Sequence, residues 1–230
     1  DFINQSFISF RMIITISGTP GSGKSTVAEI LAKKLRAERI YVGGIRRELA
    51  RKMNMTLQEF NEYAKDHPET DVDVDKRAAA QAKELGKKKI VIVEGRTQFH
   101  FLPESLKIFM KVDPEEGARR IWKDLQDKII QLRRNEGNIT SFEAMKKRIH
   151  ERENEDSARY KKYYNIDHRE ESQYDLVLDT TKISAEEAAE KIFSFIKSKR
   201  LIKVSEVRKA SHPALKGGAW KERLSKLRTS

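Results

Sequence analysis

The residues best suited to chemistry stand together near the start of the chain, in Gly18-Thr19-Pro20-Gly21-Ser22-Gly23-Lys24-Ser25-Thr26. Glycines at this spacing let successive backbone N–H groups converge on an anion. Lys24 is then placed to reach the outer phosphates, and the Ser25 hydroxyl to ligate the Mg²⁺ that bridges them. The flanks make the pattern specific. Met12-Ile-Ile-Thr-Ile-Ser17 is an apolar, β-prone run, and the stretch from Thr26 to Leu35 carries apolar residues at 27, 28, 31, 32 and 35, a helical spacing. Strand, glycine loop and helix aim the helix's partial positive end at the point the loop encloses. A nucleoside triphosphate is the expected ligand.

Phosphoryl transfer between two nucleotides gathers several negative charges at one point. Donors that stay charged and fork around phosphate oxygens are needed there, which means arginine. Gly43-Gly-Ile-Arg46-Arg47 follows a weak strand and opens a helix, and Glu94-Gly95-Arg96 ends a strong one, where an arginine suits a ligand better than packing. Glu94 is either a residue that orders the metal's waters or a structural partner. Arg119 and Arg120 lie on a later helix; Arg133 and Arg134 end it, where basic residues also complement the helix dipole. Arg148, Arg152, Asp156 and Arg159 recur at i, i+4, i+8 and i+11, on one helical face. Arg148 and Arg152 are like charges one turn apart, unfavourable unless an anion sits between them. The same face also reads as solvated, with Arg152 and Asp156 as a surface ion pair. A polar break, Asn135-Glu-Gly-Asn138, precedes it, and a break followed by an arginine face is what a closing, water-excluding lid needs.

Five short runs supply the framework: 12–17, 38–42, 89–94, 106–112 and 174–179. They are apolar throughout rather than alternating, which suits parallel strands covered on both faces. Helical stretches separate them, at about 43–65 (with a capping box, Thr56-Leu-Gln-Glu59, starting a second short helix), 70–86, 114–134, 141–164 and, from the box Ser184-Ala-Glu-Glu187, to about 199. The expected fold is α/β, a P-loop NTPase with a five-stranded parallel sheet and helices on both faces. Insertions between its strands would build the acceptor site, at about 43–86, and the lid, at about 133–160.

The net charge of +12 over 230 residues is uneven: from Lys197 onward eleven Lys/Arg face two Glu. Basicity therefore characterises the segment 200–230, for which weak RNA contact is one expectation and a solvated appendage the other. With no cysteine in the chain, disulfides and thiolate metal sites are excluded, in keeping with a cytoplasmic protein. No apolar run approaches a membrane span, and residues 1–11 read as an extension without a signal peptide's basic leader. His150 and His168 are expected at the surface, and Trp122 and the phenylalanines in the core.

From 12 to 198 the chain resembles the cytidylate kinases, of the short archaeal type, among the nucleoside monophosphate kinases. The resemblance rests on Gly18 to Ser25, Gly43-Gly-Ile-Arg-Arg-Glu-Leu-Ala50, Val93-Glu-Gly-Arg96, Arg148-Ile-His-Glu-Arg-Glu-Asn-Glu-Asp-Ser-Ala-Arg159, Tyr160 to Asp167, and Tyr174-Asp-Leu-Val-Leu-Asp-Thr-Thr181. It implies that Arg47 and Arg96 hold the acceptor monophosphate or its base. It further implies that Arg152, Asp156 and Arg159 engage acceptor and phosphates as the lid closes, that Asp71 lines the acceptor site, and that the loop after Thr180 packs near the donor adenine. After Arg96 the chain departs from the pattern, with Phe99 and Phe101 where similar proteins carry small or polar residues; Thr97 and Gln98 remain able to hydrogen-bond a base edge. The implied reaction is direct in-line transfer from Mg·ATP to CMP or dCMP by a monomer, with Lys24, Arg152 and Arg159 as catalytic residues. An acceptor phosphate already ionised at neutral pH requires no general base. Transfer to AMP or dephospho-CoA, and an NTP-dependent nucleic-acid factor acting through the basic segment, are the alternatives.

Overall fold

The computed structural model describes residues 12–199, so the expectations for 1–11 and 200–230 lie outside the described residues. Its centre is a five-stranded sheet, wholly parallel, in the order β2-β3-β1-β4-β5. The strands are β1 (Met12–Gly18), β2 (Glu38–Tyr41), β3 (Ile90–Glu94), β4 (Leu106–Lys111) and β5 (Leu176–Asp179). The pleat divides each apolar run between two layers. Met12, Ile14 and Ile16 of β1 and Ile92 of β3 pack on one side against α1 (Lys24–Leu35) and α9 (Ala185–Ser198). Val91 and Val93 point the other way, onto Val74, Ala78 and Ala82 of α4 (Glu69–Gly86). Burial on both faces is why these strands lack a polar alternation.

α2 (Val42–Lys52) and α3 (Leu57–Tyr63) join α4 beyond the end of β2, and both expected capping boxes form, at Thr56/Glu59 and Ser184/Glu187. Two details depart from the sequence reading. The stretch 114–134 is two helices, α6 (Pro114–Asp124) and α7 (Lys128–Arg134), because the Asp127 side chain captures the N–H groups of Ile129 and Ile130 and starts a new helix. A single helical turn, α5 (Gln98–Phe101), follows β3 where no element was expected. The long α8 (Phe142–Tyr164) packs through Met145 and Ile149 on Ala118 and Ile121 of α6, forming a separate small core. None of the described helices is long and apolar enough to cross a membrane.

Candidate active site

At the carboxyl end of β1 the chain turns through Gly18, Gly21 and Gly23 at φ 146°, 76° and 80°, values closed to most side chains. Two of these glycines are also steric necessities. A Cβ on Gly18 would lie 2.0 Å from the Met110 carbonyl oxygen, and one on Gly21 2.4 Å from that of Gly117, so the loop is wedged between β4 and the start of α6. The loop is tied to itself: Ser22 Oγ donates to the Thr19 carbonyl (2.8 Å), and the Val112 N–H to Thr19 Oγ1 (3.2 Å). Lys24 Nζ donates to the carbonyls of Gly18 and Thr19, both at 2.8 Å, and so lies along the nest. Burial, followed by the Arg96 guanidinium, pulls the Lys24 pKa well below that of an ordinary lysine, and added anionic oxygens would reverse that pressure.

Beside the nest Ser25 Oγ donates to Glu94 Oε1 (2.5 Å), while Arg39 Nη2 holds Glu94 Oε2 at 2.6 Å. A hydroxyl and a buried carboxylate at the mouth of a phosphate cradle form a hard-oxygen donor set. Among the described residues there is no group of three or more metal-ligating side chains. This combination fits Mg²⁺, which keeps several waters and takes substrate phosphates as ligands. Pro20, Gly21, Ser22, Gly23 and Thr26 line the same opening.

The opening leads into a cavity of about 890 Å³, near the top of the range of about 300–1,000 Å³ for small-molecule sites. Its far wall is made of charge. Asp156 Oδ2 lies 2.9 Å from Arg96 Nη1 and 4.0 Å from Arg152 Nε, and Asp156 Oδ1 accepts from Arg159 Nη2 (2.6 Å). Arg159 Nε donates on to Asp71 Oδ2 (3.0 Å), and Arg46 pairs with Asp71 and donates to Asn61 Oδ1 (3.0 Å). Burial opposes ionisation of Asp156, but Arg96, Arg159 and Arg152 outweigh it and hold its carboxyl far below the usual carboxylate range.

The residues anticipated from the sequence therefore converge, with differences of depth. Arg47, Asp71, Arg96, Arg152 and Asp156 reach the cavity wall, whereas Arg159 stands behind it, bridging the two aspartates. Arg47 is anchored: Nε donates to the Arg134 carbonyl (2.8 Å) and Nη1 to Tyr41 Oη (2.8 Å). The Arg152–Asp156 pair is buried, not a surface pair. Arg148 is buried outside the cavity wall, 3.6 Å from Glu155. Arg120 donates to the carbonyls of Thr180 (2.8 Å) and Thr181 (3.0 Å), fixing the loop that lines the donor end, while Arg119 is exposed on Glu115 and Glu116. Phe99 and Phe101 do not fill the cavity; Phe99 lies tilted against Tyr174 and Phe101 edge-on to Tyr164, with centroids 4.9 and 5.1 Å apart.

Several participants went unread. Arg39 has no signature beyond being basic, and Asp75 is one helical turn from Asp71 in the run Asp71-Val-Asp-Val-Asp75, an i, i+4 relation that marks it. Asp75 accepts from Thr97 Oγ1 (2.8 Å), Gln98 Nε2 (3.0 Å) and Tyr164 Oη (2.9 Å), and burial raises its pKa despite these bonds. His168 is not at the surface as expected but only 2% exposed, edge-on to Tyr160, and burial with nearby Arg96 lowers its pKa to about 4.

A backbone nest with a lysine lying along it at one end of a cavity, and guanidinium groups from three segments at the other, defines a P-loop phosphotransferase. Comparison with known proteins narrows the class. A family model described as an AAA domain matches residues 14–175. The chain is 39% identical to a cytidylate kinase of Methanocaldococcus jannaschii over 76% of its own length and 92% of that protein's, and 37% identical to one of Archaeoglobus fulgidus over 83% and 97%. Its fold is similar to that of a shikimate kinase from Acinetobacter baumannii solved with shikimate, at a TM-score of 0.52 and 18% identity over 83% of this chain and 96% of that one. The chain belongs to the cytidylate kinases.

Proposed function

We propose that this protein transfers the γ-phosphoryl group of ATP to the 5′-phosphate of CMP and dCMP, in line and without a covalent intermediate. The observation that carries the reading is the opposition of the 18–26 nest to the Arg96–Asp156–Arg152 group across one cavity. In this reading ATP lies with its triphosphate in the nest and its adenine toward the Thr180 loop. Residues 43–86 form the acceptor-binding insertion, and 133–160 the lid. Arg47 and Arg96 hold the acceptor phosphate, with Asp156 fixing the Arg96 guanidinium and Asp71 and Asp156 lining the acceptor's side. Lys24 leaves the Gly18 and Thr19 carbonyls for the β- and γ-phosphates. Arg152 meets the charge that develops between the nucleotides, and Arg159 supports it from behind through Asp71 and Asp156. Ser25, with Glu94 beside it, would hold Mg²⁺, which when bound neutralises phosphate charge. The acceptor oxygen is already anionic, so positioning and charge neutralisation carry the catalysis. Closure of the lid keeps water from the γ-phosphoryl group and suppresses hydrolysis.

Incubation with Mg·ATP and each nucleoside monophosphate, following ADP, tests the reading. The expected result is ADP release that depends on CMP or dCMP, with little from AMP or UMP and little without acceptor. Equal turnover with AMP would transfer the acceptor assignment elsewhere. The same reading takes the protein as a cytoplasmic monomer and gives the basic segment 200–230 a weak, salt-sensitive contact with RNA. A gel shift unchanged by truncation at Arg200 would remove that contact.

A further inference from the structure

Glu136 belongs to the polar break between α7 and α8 and was no part of the sequence-derived site. Its carboxylate is only 4% exposed, yet it is the near partner of two cavity-lining arginines from different parts of the fold. Glu136 Oε1 lies 3.0 Å from Arg152 Nη1 on α8 and 3.5 Å from Arg47 Nη2 on α2. Glu136 itself does not line the cavity, so it grips both guanidinium groups from behind and leaves their other faces toward the ligand.

The backbone around it is held to the insertion side. Arg47 Nε donates to the Arg134 carbonyl (2.8 Å), the Leu57 N–H to the Asn135 carbonyl (2.8 Å), and Asn135 Nδ2 to the Met55 carbonyl (3.0 Å). Asn135 and Gly137 take φ of 53° and 80°, turning the chain sharply at either side of the carboxylate. Burial resists ionisation of Glu136, but Arg152, Arg47, Arg134 and Arg148 prevail and keep its pKa below the ordinary glutamate value. Of the like-charged pair Arg148 and Arg152 it holds only Arg152, while Arg148 lies 3.6 Å from Glu155.

We infer that Glu136 is a positioning residue that couples the lid to the acceptor-phosphate clamp, by serving as the shared counter-ion of Arg47 and Arg152. Without its charge the two guanidinium groups repel, and the lid side parts from the insertion until an acceptor phosphate takes the carboxylate's place. This rests on the proposed acceptor site. Glu136 thereby sets how much of the binding free energy of the monophosphate goes into closing the lid.

Steady-state kinetics of full-length Glu136→Gln, with CMP and Mg·ATP varied separately, test the inference alongside Arg47→Ala, Arg152→Ala and the double variants. The expected result is a rise in KM for CMP of about tenfold, the order of coupling found between contacting charges. KM for ATP should change by less than about threefold, while kcat falls as well through the displaced Arg152, so the rise in KM for CMP is the discriminating readout. Glu136→Asp should recover part of the loss. The effects of Glu136→Gln and Arg152→Ala should be less than additive. A merely structural Glu136 would lower the active fraction, dropping apparent kcat with both KM values unmoved, and that outcome overturns the inference. So does strict additivity with both arginines while those arginines still raise KM for CMP. If Arg47→Ala and Arg152→Ala leave KM for CMP untouched, the acceptor-site reading itself fails, and the inference falls with it for that separate reason.

Discussion

The two ends of the cavity are built by opposite means. The donor end is nearly all backbone and nearly all local: nine consecutive residues, three of them glycines at positive φ, supply the cradle. The acceptor end is nearly all side chain and non-local. Arg47, Arg96 and Arg152 come from α2, the end of β3 and α8, and are registered by the carboxylates of Glu136 and Asp156. A nest of N–H groups is set once its φ angles are set, and it cannot be unlearned by a change of side chain. A clamp of arginines exists only while its counter-charges hold like charges together in a partly dry space. Function at the first end is therefore robust to most substitutions around it, and function at the second is bound up with stability.

The largest test of this contrast is removal of a registering carboxylate. Asp156→Ala takes the shared partner from Arg96, Arg152 and Arg159 at once, leaving Arg96 without a carboxylate and the other two with Glu136 and Asp71 alone. A loss of about 3–5 kcal/mol in unfolding free energy is expected, measured by urea denaturation. KM for CMP should rise more than KM for ATP in whatever protein remains folded. A loss below 1 kcal/mol would mean that the acceptor end is as self-sufficient as the donor end.

Lys24→Ala should do the reverse: little change in stability, and a fall in kcat of about 10²–10³-fold, as when one preorganised donor to developing charge is removed. Its two bonds are to loop carbonyls in a solvent-reached opening, so the folded state loses little. Circular dichroism melts beside ADP-release assays distinguish the two effects.

The same contrast explains what the sequence discloses. The donor end is legible because one contiguous pattern specifies both the conformation and the chemistry. The sheet is legible for a similar reason, since Ile14, Ile16, Val91 and Val93 need burial on both faces and only a parallel central strand provides it. At the acceptor end the helical face of Arg152, Asp156 and Arg159 can be read from spacing, but the depth of each cannot. Arg159 lies behind the wall, and Arg148 away from it, because α8 buries one stripe of residues from Met145 to Tyr160 and presents only part of it to the cavity. Glu136 and Arg39 were invisible, because nothing local says that a charge in a polar break or on a short strand will be buried. The split between α6 and α7 was masked by a continuous apolar pattern that one capping aspartate interrupts.

His168 offers a subtler test of the dry side. Unfolded, it takes up a proton near pH 6.5; folded, burial and then Arg96 delay this to about pH 4. Between those values the unfolded state binds more protons, so stability must fall as pH falls. From pH 6.5 to 5, above the range of most carboxylates, the loss should be about 2 kcal/mol at 1.36 kcal/mol per unit. His168→Gln should flatten that slope while leaving the decline below pH 4.5, where Asp156 and Glu136 take up protons in the unfolded chain but are still held ionised in the folded one.

The smallest expected effect sharpens the description of the donor end. If the nest depends on backbone angles more than on side-chain packing, its glycines should differ according to what stands beside each. Gly23 has φ 80° and open space around a would-be Cβ, whereas a Cβ on Gly21, at φ 76°, runs into Gly117 backbone. Gly23→Ala then carries only the left-handed strain, about 1–2 kcal/mol, with the N–H still directed into the loop and KM for ATP little changed. Gly21→Ala carries that strain and also forces the loop off the start of α6, so its cost should be clearly greater, with KM for ATP rising as the cradle opens. Equal costs at the two positions, read by thermal melts, would mean that the loop does not lean on α6 and that its shape is set by its own turns alone.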